Sequence, residues 1–368
     1  MRKVSVVGGG NAGVFTALYF GWYGQDEVEL IYNPEIPPER VGQATLLDPP
    51  RMLWNATGFD WYHNQINATF KSGILYEGWG QVNDKVFHAF PADGMAMHYC
   101  PWEMQKHVLD SGVFKVVEGD VDDINSIDSD LIFDCRGKPD DYSEYEELIN
   151  PINACILGKP KWNVSEAFWS RHVATPDGWT FVIPTHSQSP SYDYCVGYCY
   201  NSNITSRAVA QSNFLEMFDV QVKHHVNFKN YVAKNAVIDD RIVLNGNRLF
   251  FLDPLESSST QTYIELVRFV LNNGVKDASN QVRRYIKQVQ NFVLWHYNCG
   301  SKYDTPFWDY AKSLTFNDPE FDSILDSSIK SSDYDIMDQA NNNSRSGYGQ
   351  WTPYAFKLWY DGMMRKEK

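Results

Sequence analysis

The clearest pattern along the chain is a short apolar run, a glycine turn and a second apolar run, all near the start. The run "KVSVV" at 3–7 reads as a buried strand, "GGGNAGVFTALYFGWYG" as a turn opening a helix, and "VELIY" at 28–32 as the next strand. This is a βαβ unit, the setting in which G-x-G-x-x-G spacing carries meaning. Gly8, Gly10 and Gly13 fill its three slots. The first permits the tight turn, the second lets backbone approach a pyrophosphate, and the third lets the helix pack on the strand. The helix start then faces the phosphates with unpaired N–H groups and its positive dipole end. The acidic residue expected at the end of the second strand is missing. Tyr32 and Asn33 stand there, with Glu35 slightly beyond as a substitute. That argues against a plain NAD site.

Downstream, "VFKVVEGDVDDI" (113–124) reads as a strand and a turn, and "SDLIFDCRG" (129–137) as an apolar strand returning to the first sheet. "GWTFVIPTH" (178–186) and "YDYCVGYCYN" (192–201) alternate and predict sheet. Residues 241–274 read as strand, turn and a long amphipathic helix, and the pattern stays mainly helical until an asparagine-rich stretch near 340–347. Nucleotide-binding pieces at about 1–45, 130–137 and 241–272 predict one interleaved α/β body over 1–312. A β-rich substrate lobe, about 50–125 and 150–235, is inserted in it, and residues 313–368 form a mainly helical C-terminal segment.

Composition narrows the function. The chain has 368 residues, 43% hydrophobic, enough for a sizeable core. A net charge of −14 argues against a nucleic-acid or anionic-membrane surface. No apolar run approaches the ~18 residues of a membrane span. The chain opens directly on a strand, so no signal peptide is expected and a cytoplasmic location follows. Six cysteines (100, 135, 155, 195, 199, 299) contain no C-x-x-C and predict free thiols in a reducing compartment. His98, Cys100 and His107 match no zinc spacing, and no metal is expected. Aromatics at 15% fit a pocket for an apolar ligand. In "NATFKSGILYEGWG" (67–80), Lys71 lies beside Phe70, with Tyr76 and Trp79 just beyond. Such a lysine either snorkels to water or is buried for chemistry.

With these pieces in view, the chain resembles the flavin-dependent halogenases of the tryptophan-halogenase type. The resemblance is an ordered series of motifs over roughly residues 1–312. "VVGGGNAGVFTA" looks like the family's opening flavin turn, and "RVGQATLL" (40–47) like a flavin-contacting segment, with Gln43 where glutamate is usual. "FKSGILYEGW" resembles the segment of the catalytic lysine, which puts that role on Lys71. "DGWTFVIP" resembles the W-x-W-x-I-P signature, with Phe181 in place of the second tryptophan. "VGYCYNS" follows it. "LFFLDPLESSST" resembles the P-L-E-S-T segment and places the glutamate on Glu256, with Ser258 and Ser259 where Thr-Gly is usual. "LWHYNCGSKYDTPFWDYAK" (294–312) resembles a further stretch of the family. The chain is shorter than typical members, and the region that closes over free tryptophan is altered. Free tryptophan is therefore not the expected substrate.

The resemblance implies an FAD-binding Rossmann-like fold of the flavoprotein monooxygenase type. It implies a halogenase that uses reduced FAD, oxygen and a halide ion (chloride, bromide or iodide) to make hypohalous acid. That oxidant would pass through Lys71 to an electron-rich, small aromatic substrate. FAD would lie against Gly8, Gly9, Gly10, Asn11, Ala12, Gly13, Gln43, Ala44, Asp253 and Thr260. The halide would sit on backbone N–H groups at Ser258 and Ser259, though serine there also suits a plain helix cap. Glu256 would orient the oxidant or take the ring proton. Trp179, Phe181, Ile183 and Pro184 would wall the substrate off from the flavin, or simply pack the core. Reduced FAD would come from a separate flavin reductase, since no nicotinamide motif accompanies the flavin site; a homo-oligomer is compatible with the sequence. The alternatives are a flavin monooxygenase or reductase of the same fold, which needs neither Lys71 nor Glu256, and a non-catalytic flavin-binding protein. Tyr32, Gln43, Phe181 and Ser259 are the departures that favour the last.

Overall fold

The computed structural model describes residues 1–90, 96–332 and 347–364. Residues 340–346 of the asparagine-rich stretch lie outside them. The opening βαβ unit forms as the apolar pattern predicts. Strands Lys3–Val7 and Glu27–Tyr32 run parallel, with Val6 beside Leu30, and helix Asn11–Tyr23 connects them. That helix buries Val14, Phe15, Ala17, Leu18 and Phe20, so its apolar residues cover the sheet and the helices beyond it. The sheet has six strands in the order Val237–Ile238, Ile242–Leu244, Leu131–Asp134, Lys3–Val7, Glu27–Tyr32, Lys115–Glu118. All neighbours are parallel except the first pair. Strand Lys115–Glu118, expected in the inserted lobe, instead adds the edge of this sheet, because Val116 and Val117 pair with Leu30 and Ile31.

A second sheet of seven strands is ordered Val220–Asn227, Ala154–Pro160, Val196–Tyr200, Gly178–Val182, Ser170–Thr175, Gly73–Glu77, Lys85–Ala89. Residues two apart on a strand share a face, and so do direct partners across strands. One row across this sheet therefore reads Trp179, Cys199, Cys155. The next reads His172, Phe181, Gly197, Leu157. A Cβ on Gly197 would land on the Phe181 ring, so glycine here lets that ring lie flat over the neighbouring strand.

Lys71 ends strand Thr69–Lys71, which pairs antiparallel with Ala96–Tyr99; the short strand Gln43–Ala44 pairs with the other edge of Ala96–Tyr99. Two residues later the chain enters the seven-stranded sheet, so Lys71 stands where two sheets meet. Helices Ser259–Asn273 and Val275–Asn298 pack together, and the first also packs on Asn11–Tyr23. Helix Pro353–Met363 lies on helix Pro319–Lys330 and on strand Lys85–Ala89.

Gly8 adopts φ +116°, which only glycine holds without strain, and a Cβ on Gly13 would land on the Gly8 carbonyl oxygen. Gly13→Ala is therefore expected to lower unfolding stability by about 1–3 kcal/mol through overpacking, read as a lower urea midpoint. An unchanged midpoint would contradict this packing.

Candidate functional site

A cleft of about 1430 Å³ opens along the C-terminal edge of the first sheet. Its floor is the turn Gly8, Gly9, Gly10, Asn11 and Ala12 at the start of the first helix, and Gln43 and Ala44 flank it. A Cβ on Gly10 would meet nothing within 4 Å, so backbone there is open to a ligand. The turn suits a dinucleotide's pyrophosphate, because the first amides of the helix have no helical partners. The cleft's size and its glycine floor fit a dinucleotide such as FAD. Gly13 lies behind the floor and serves packing.

The acidic group of the nucleotide half comes from an unexpected place. Glu35 does not line the cleft. Asp120 does, its carboxylate held by the Asn33 amide at 2.8 and 3.0 Å. The glutamate's own amide is tied to the Asn33 side chain at 2.8 Å, which turns the loop away.

The opposite wall comes from the seven-stranded sheet. Trp179, Phe181 and Ile183 alternate with Thr180 and Val182 and all three line the cleft; His172 joins them from the next strand. The His172 ring packs 4.8 Å from Trp179 and 5.3 Å from Tyr76. Its Nδ1 is buried without a hydrogen-bond partner, and burial, aided by the Lys71 charge, pulls the imidazole down to about 3. Pro184 stands behind the wall, where its carbonyl accepts from the Thr69 hydroxyl.

Lys71 is fully buried. Its Nζ donates to the Ser257 hydroxyl at 3.0 Å and the Thr45 carbonyl at 3.2 Å, and lies 5.1 Å from the Phe90 ring centre. Ser257 itself lines the cleft, so the ammonium is one hydroxyl away from it. Burial pulls the amine down to about 7, against the opposing charge of Glu256. Phe70, its neighbour in sequence, points to the other side of the strand and packs on Trp61 at 5.9 Å. Phe90 supplies the apolar contact that the sequence suggested for Phe70.

Glu256 closes the short 3₁₀ turn Pro254–Glu256, and Ser257 follows in the left-handed region at φ 54°. The Glu256 carboxylate is caged. Oε1 accepts from Tyr76 and from His296 Nε2 at 2.7 Å, and Oε2 accepts from Trp351 Nε1 at 3.0 Å, with His88 Nδ1 at 4.0 Å. Burial alone would raise its pKa, but His296, then His88 and Tyr76, outweigh that and hold it below the ordinary carboxylate range. No direct bond joins it to Lys71; it acts on the lysine as a fixed charge. His98 and His107, near in sequence, are held apart: His98 by Thr69 and Ser170, His107 by Thr57.

The serine run divides its work. Ser259 lines the cleft at the first turn of helix Ser259–Asn273, while Ser258 is buried beneath it and makes no side-chain capping bond. The cap reading thus has no hydroxyl to carry it. Thr260 and Asp253, expected against the cofactor, are buried and do not line the cleft. The Thr260 hydroxyl meets Tyr99 at 3.4 Å. Asp253 is fully buried, accepting from the Leu255 amide at 3.1 Å, from Asn150 at 3.3 Å and from Tyr297; burial raises it to about 6. Its backbone starts the turn that carries Glu256, and that positional duty explains the aspartate.

A glycine-floored dinucleotide cleft backed by a sequestered lysine and a caged glutamate defines a flavoenzyme-type site. Comparisons with known proteins give the family. The tryptophan halogenase family profile matches residues 3–109 and 115–332, and the chain belongs to that family of flavin-dependent halogenases. Tryptophan 7-halogenase RebH of Lentzea aerocolonigenes is 21% identical, with 86% of this chain and 80% of that protein covered. Tryptophan 7-halogenase KtzQ of Kutzneria sp. (strain 744) is 22% identical over the same shares. Among solved structures, MibH, a lanthipeptide tryptophan 5-halogenase, superposes with a TM-score of 0.81 at 18% identity, covering 100% of this chain and 86% of that one. Xcc4156, a flavin-dependent halogenase from Xanthomonas campestris, gives 0.77 at 18%, covering 99% and 89%. The FAD-binding Rossmann-type fold is therefore shared. No helix among the described residues is long and apolar enough to cross a membrane.

Sequence reasoning missed Ser257, His172, His296 and Trp351. Ser257 and His296 lie inside family-like motifs but beside residues that drew the role, while His172 and Trp351 reach the site only through tertiary packing. Lys71 supplies the test of this geometry. An amine titrating near 7 when folded and near 10.5 when unfolded penalises folding fully below pH 7, and the penalty fades as pH rises to 10.5. Lys71→Met is expected to raise the melting temperature at pH 7 by several degrees, with the gain shrinking towards pH 10. Equal destabilisation at both pH values would contradict it.

Proposed function

We propose that this enzyme delivers halogen from hypohalous acid to an electron-rich aromatic substrate through Lys71. The observation that supports this most is the placement of Nζ: sealed from solvent, and 3.0 Å from a serine that lines the cofactor cleft. Reduced FAD, when bound, supplies the two-electron reduction of oxygen that turns halide into hypohalous acid. The turn Gly8–Ala12 would hold its pyrophosphate, and Gln43 and Ala44 would flank its ring system. Backbone N–H groups around Ser258 and Ser259, at a helix start, would hold the halide.

The chain's own residues then do four things. Trp179, Phe181, Ile183 and His172 form a dry wall that keeps an aromatic acceptor out of the cleft. Ser257 and Thr45 hold the lysine's amine at the far side of that wall. Lys71, about half neutral near pH 7, can donate a hydrogen bond to hypohalous acid as the cation or take up halogen as the free amine. Glu256, kept ionised by its three donors, supplies a negative charge that favours the departing ring proton and the positive charge on the attacked ring.

Rings of Tyr76, His296 and Trp359 crowd around Glu256, with His296 and Trp359 centroids 3.7 Å apart. That filling supports an acceptor other than free tryptophan. A separate flavin reductase would supply reduced FAD. Chemically reduced FAD, oxygen and each halide, with a panel of indoles and phenols, are expected to give halogenated product by mass spectrometry, and Lys71→Ala to lower its yield at least 100-fold. Hydroxylated product without halogen would favour a monooxygenase. Full halogenation by the alanine variant would remove the lysine from the reaction.

A further inference from the structure

Cys155 and Cys199 are direct partners on neighbouring antiparallel strands, one step along the row from Trp179. Both side chains belong to the cleft wall, though 4% and 1% exposed. The pairing type follows from the backbone. The Ile183 amide donates to the Cys195 carbonyl at 2.8 Å, and the alternation of an antiparallel ladder repeats that bonded pair at Trp179 and Cys199. Cys199 thus turns its amide and carbonyl towards Trp179. Across to Cys155 the pair is the non-hydrogen-bonded kind, in which Cα atoms approach to about 4.5 Å. A disulfide needs roughly 4.4–6.8 Å between Cα atoms, so the bond can close without moving backbone. Both side chains rise from one face of the sheet at directly opposed positions, and burial, with the neighbouring Cys155 thiol, raises the Cys199 pKa well above its ordinary range. Such thiols resist ordinary autoxidation and reserve their reactivity for strong electrophiles.

We infer that Cys155 and Cys199 form a reversible dithiol–disulfide couple in the cleft wall, oxidised by hypohalous acid that escapes the route to Lys71. The step balances. The Cys199 sulfur displaces hydroxide from the halogen of HOX, giving S–X and, with the thiol proton, water. The Cys155 sulfur then attacks Cys199, the S–S bond forms, and halide leaves with the second thiol proton as HX. Two thiols lose two electrons and the halogen gains them. A dithiol reductant reverses the bond by exchange. Cys135 also lines the cleft, but it follows strand Leu131–Asp134 of the first sheet, where its amide donates to the Val7 carbonyl at 2.8 Å, and it is not a register partner of either wall cysteine.

The inference rests on the halogenase reading only for the source of the oxidant, and the test separates the two. The full-length protein is given one equivalent of hypobromous acid without flavin, alkylated, digested and mapped without reduction. A linked Cys155–Cys199 peptide pair should account for more than half of the thiol loss, vanish in Cys155→Ser, and revert with dithiothreitol. With reduced FAD and oxygen but no aromatic acceptor, bromide should increase the same linkage at least fivefold over a bromide-free control. Both cysteines remaining fully alkylatable after the bolus, or linked elsewhere, would overturn the couple while leaving the functional reading untouched. No halogenated product from any substrate, with the linkage formed by the bolus, would sink the functional reading and leave the couple standing. Linkage after the bolus, but no bromide dependence in an active halogenase, would overturn the escape route.

Discussion

An ammonium group held out of water without a carboxylate in contact is the constraint on which the rest of this structure depends. Moving the Lys71 amine from 10.5 to about 7 corresponds to on the order of 5 kcal/mol of lost preference for its charged form. That is a large part of a protein's net stability, so burying this amine is costly to the fold. Two neutral oxygens, from Ser257 and Thr45, replace a fraction of its hydration. The Glu256 charge restores some of the cation's stability from a distance. The result is an amine balanced between its two protonation states, held by the junction of two sheets.

Glu256 is the counterpart of that balance. Three donors and a nearby histidine fix a carboxylate that burial would otherwise neutralise. Its donors come from residues 76, 296 and 351, so the helical C-terminal part is tied directly to the charge that governs the lysine. Aromatic rings fill the space around it, excluding water and strengthening every charge interaction inside. The C-terminal segment thus helps fix the charge state and position of the Glu256 carboxylate.

Features written in local order were legible in the sequence. The glycine turn, the βαβ unit and the alternation of Trp179, Phe181 and Ile183 depend on near neighbours, and each maps onto the cleft. Lys71 and Glu256 were legible through motifs, and the structure brings both behind one wall. What depended on tertiary meeting was not. His172 reaches the cleft because its strand pairs with Phe181, and Trp351 reaches Glu256 across 95 residues. Glu35, Asp253 and Thr260 look like ligand residues in a linear reading, but backbone capping and helix packing claim them first. The pairing of Cys155 with Cys199 needs strand register, which no spacing of cysteines reveals.

The most direct measurement is the titration of Lys71 itself. Protein labelled with ¹³C at the lysine ε-carbon, followed by NMR from pH 5 to 11 with Lys71→Met to assign the signal, reports its amine alone. The account predicts one lysine signal that titrates near pH 7, apart from the others near 10.5. A Lys71 signal titrating with the exposed lysines would contradict the dry, half-neutral amine on which the proposed chemistry rests.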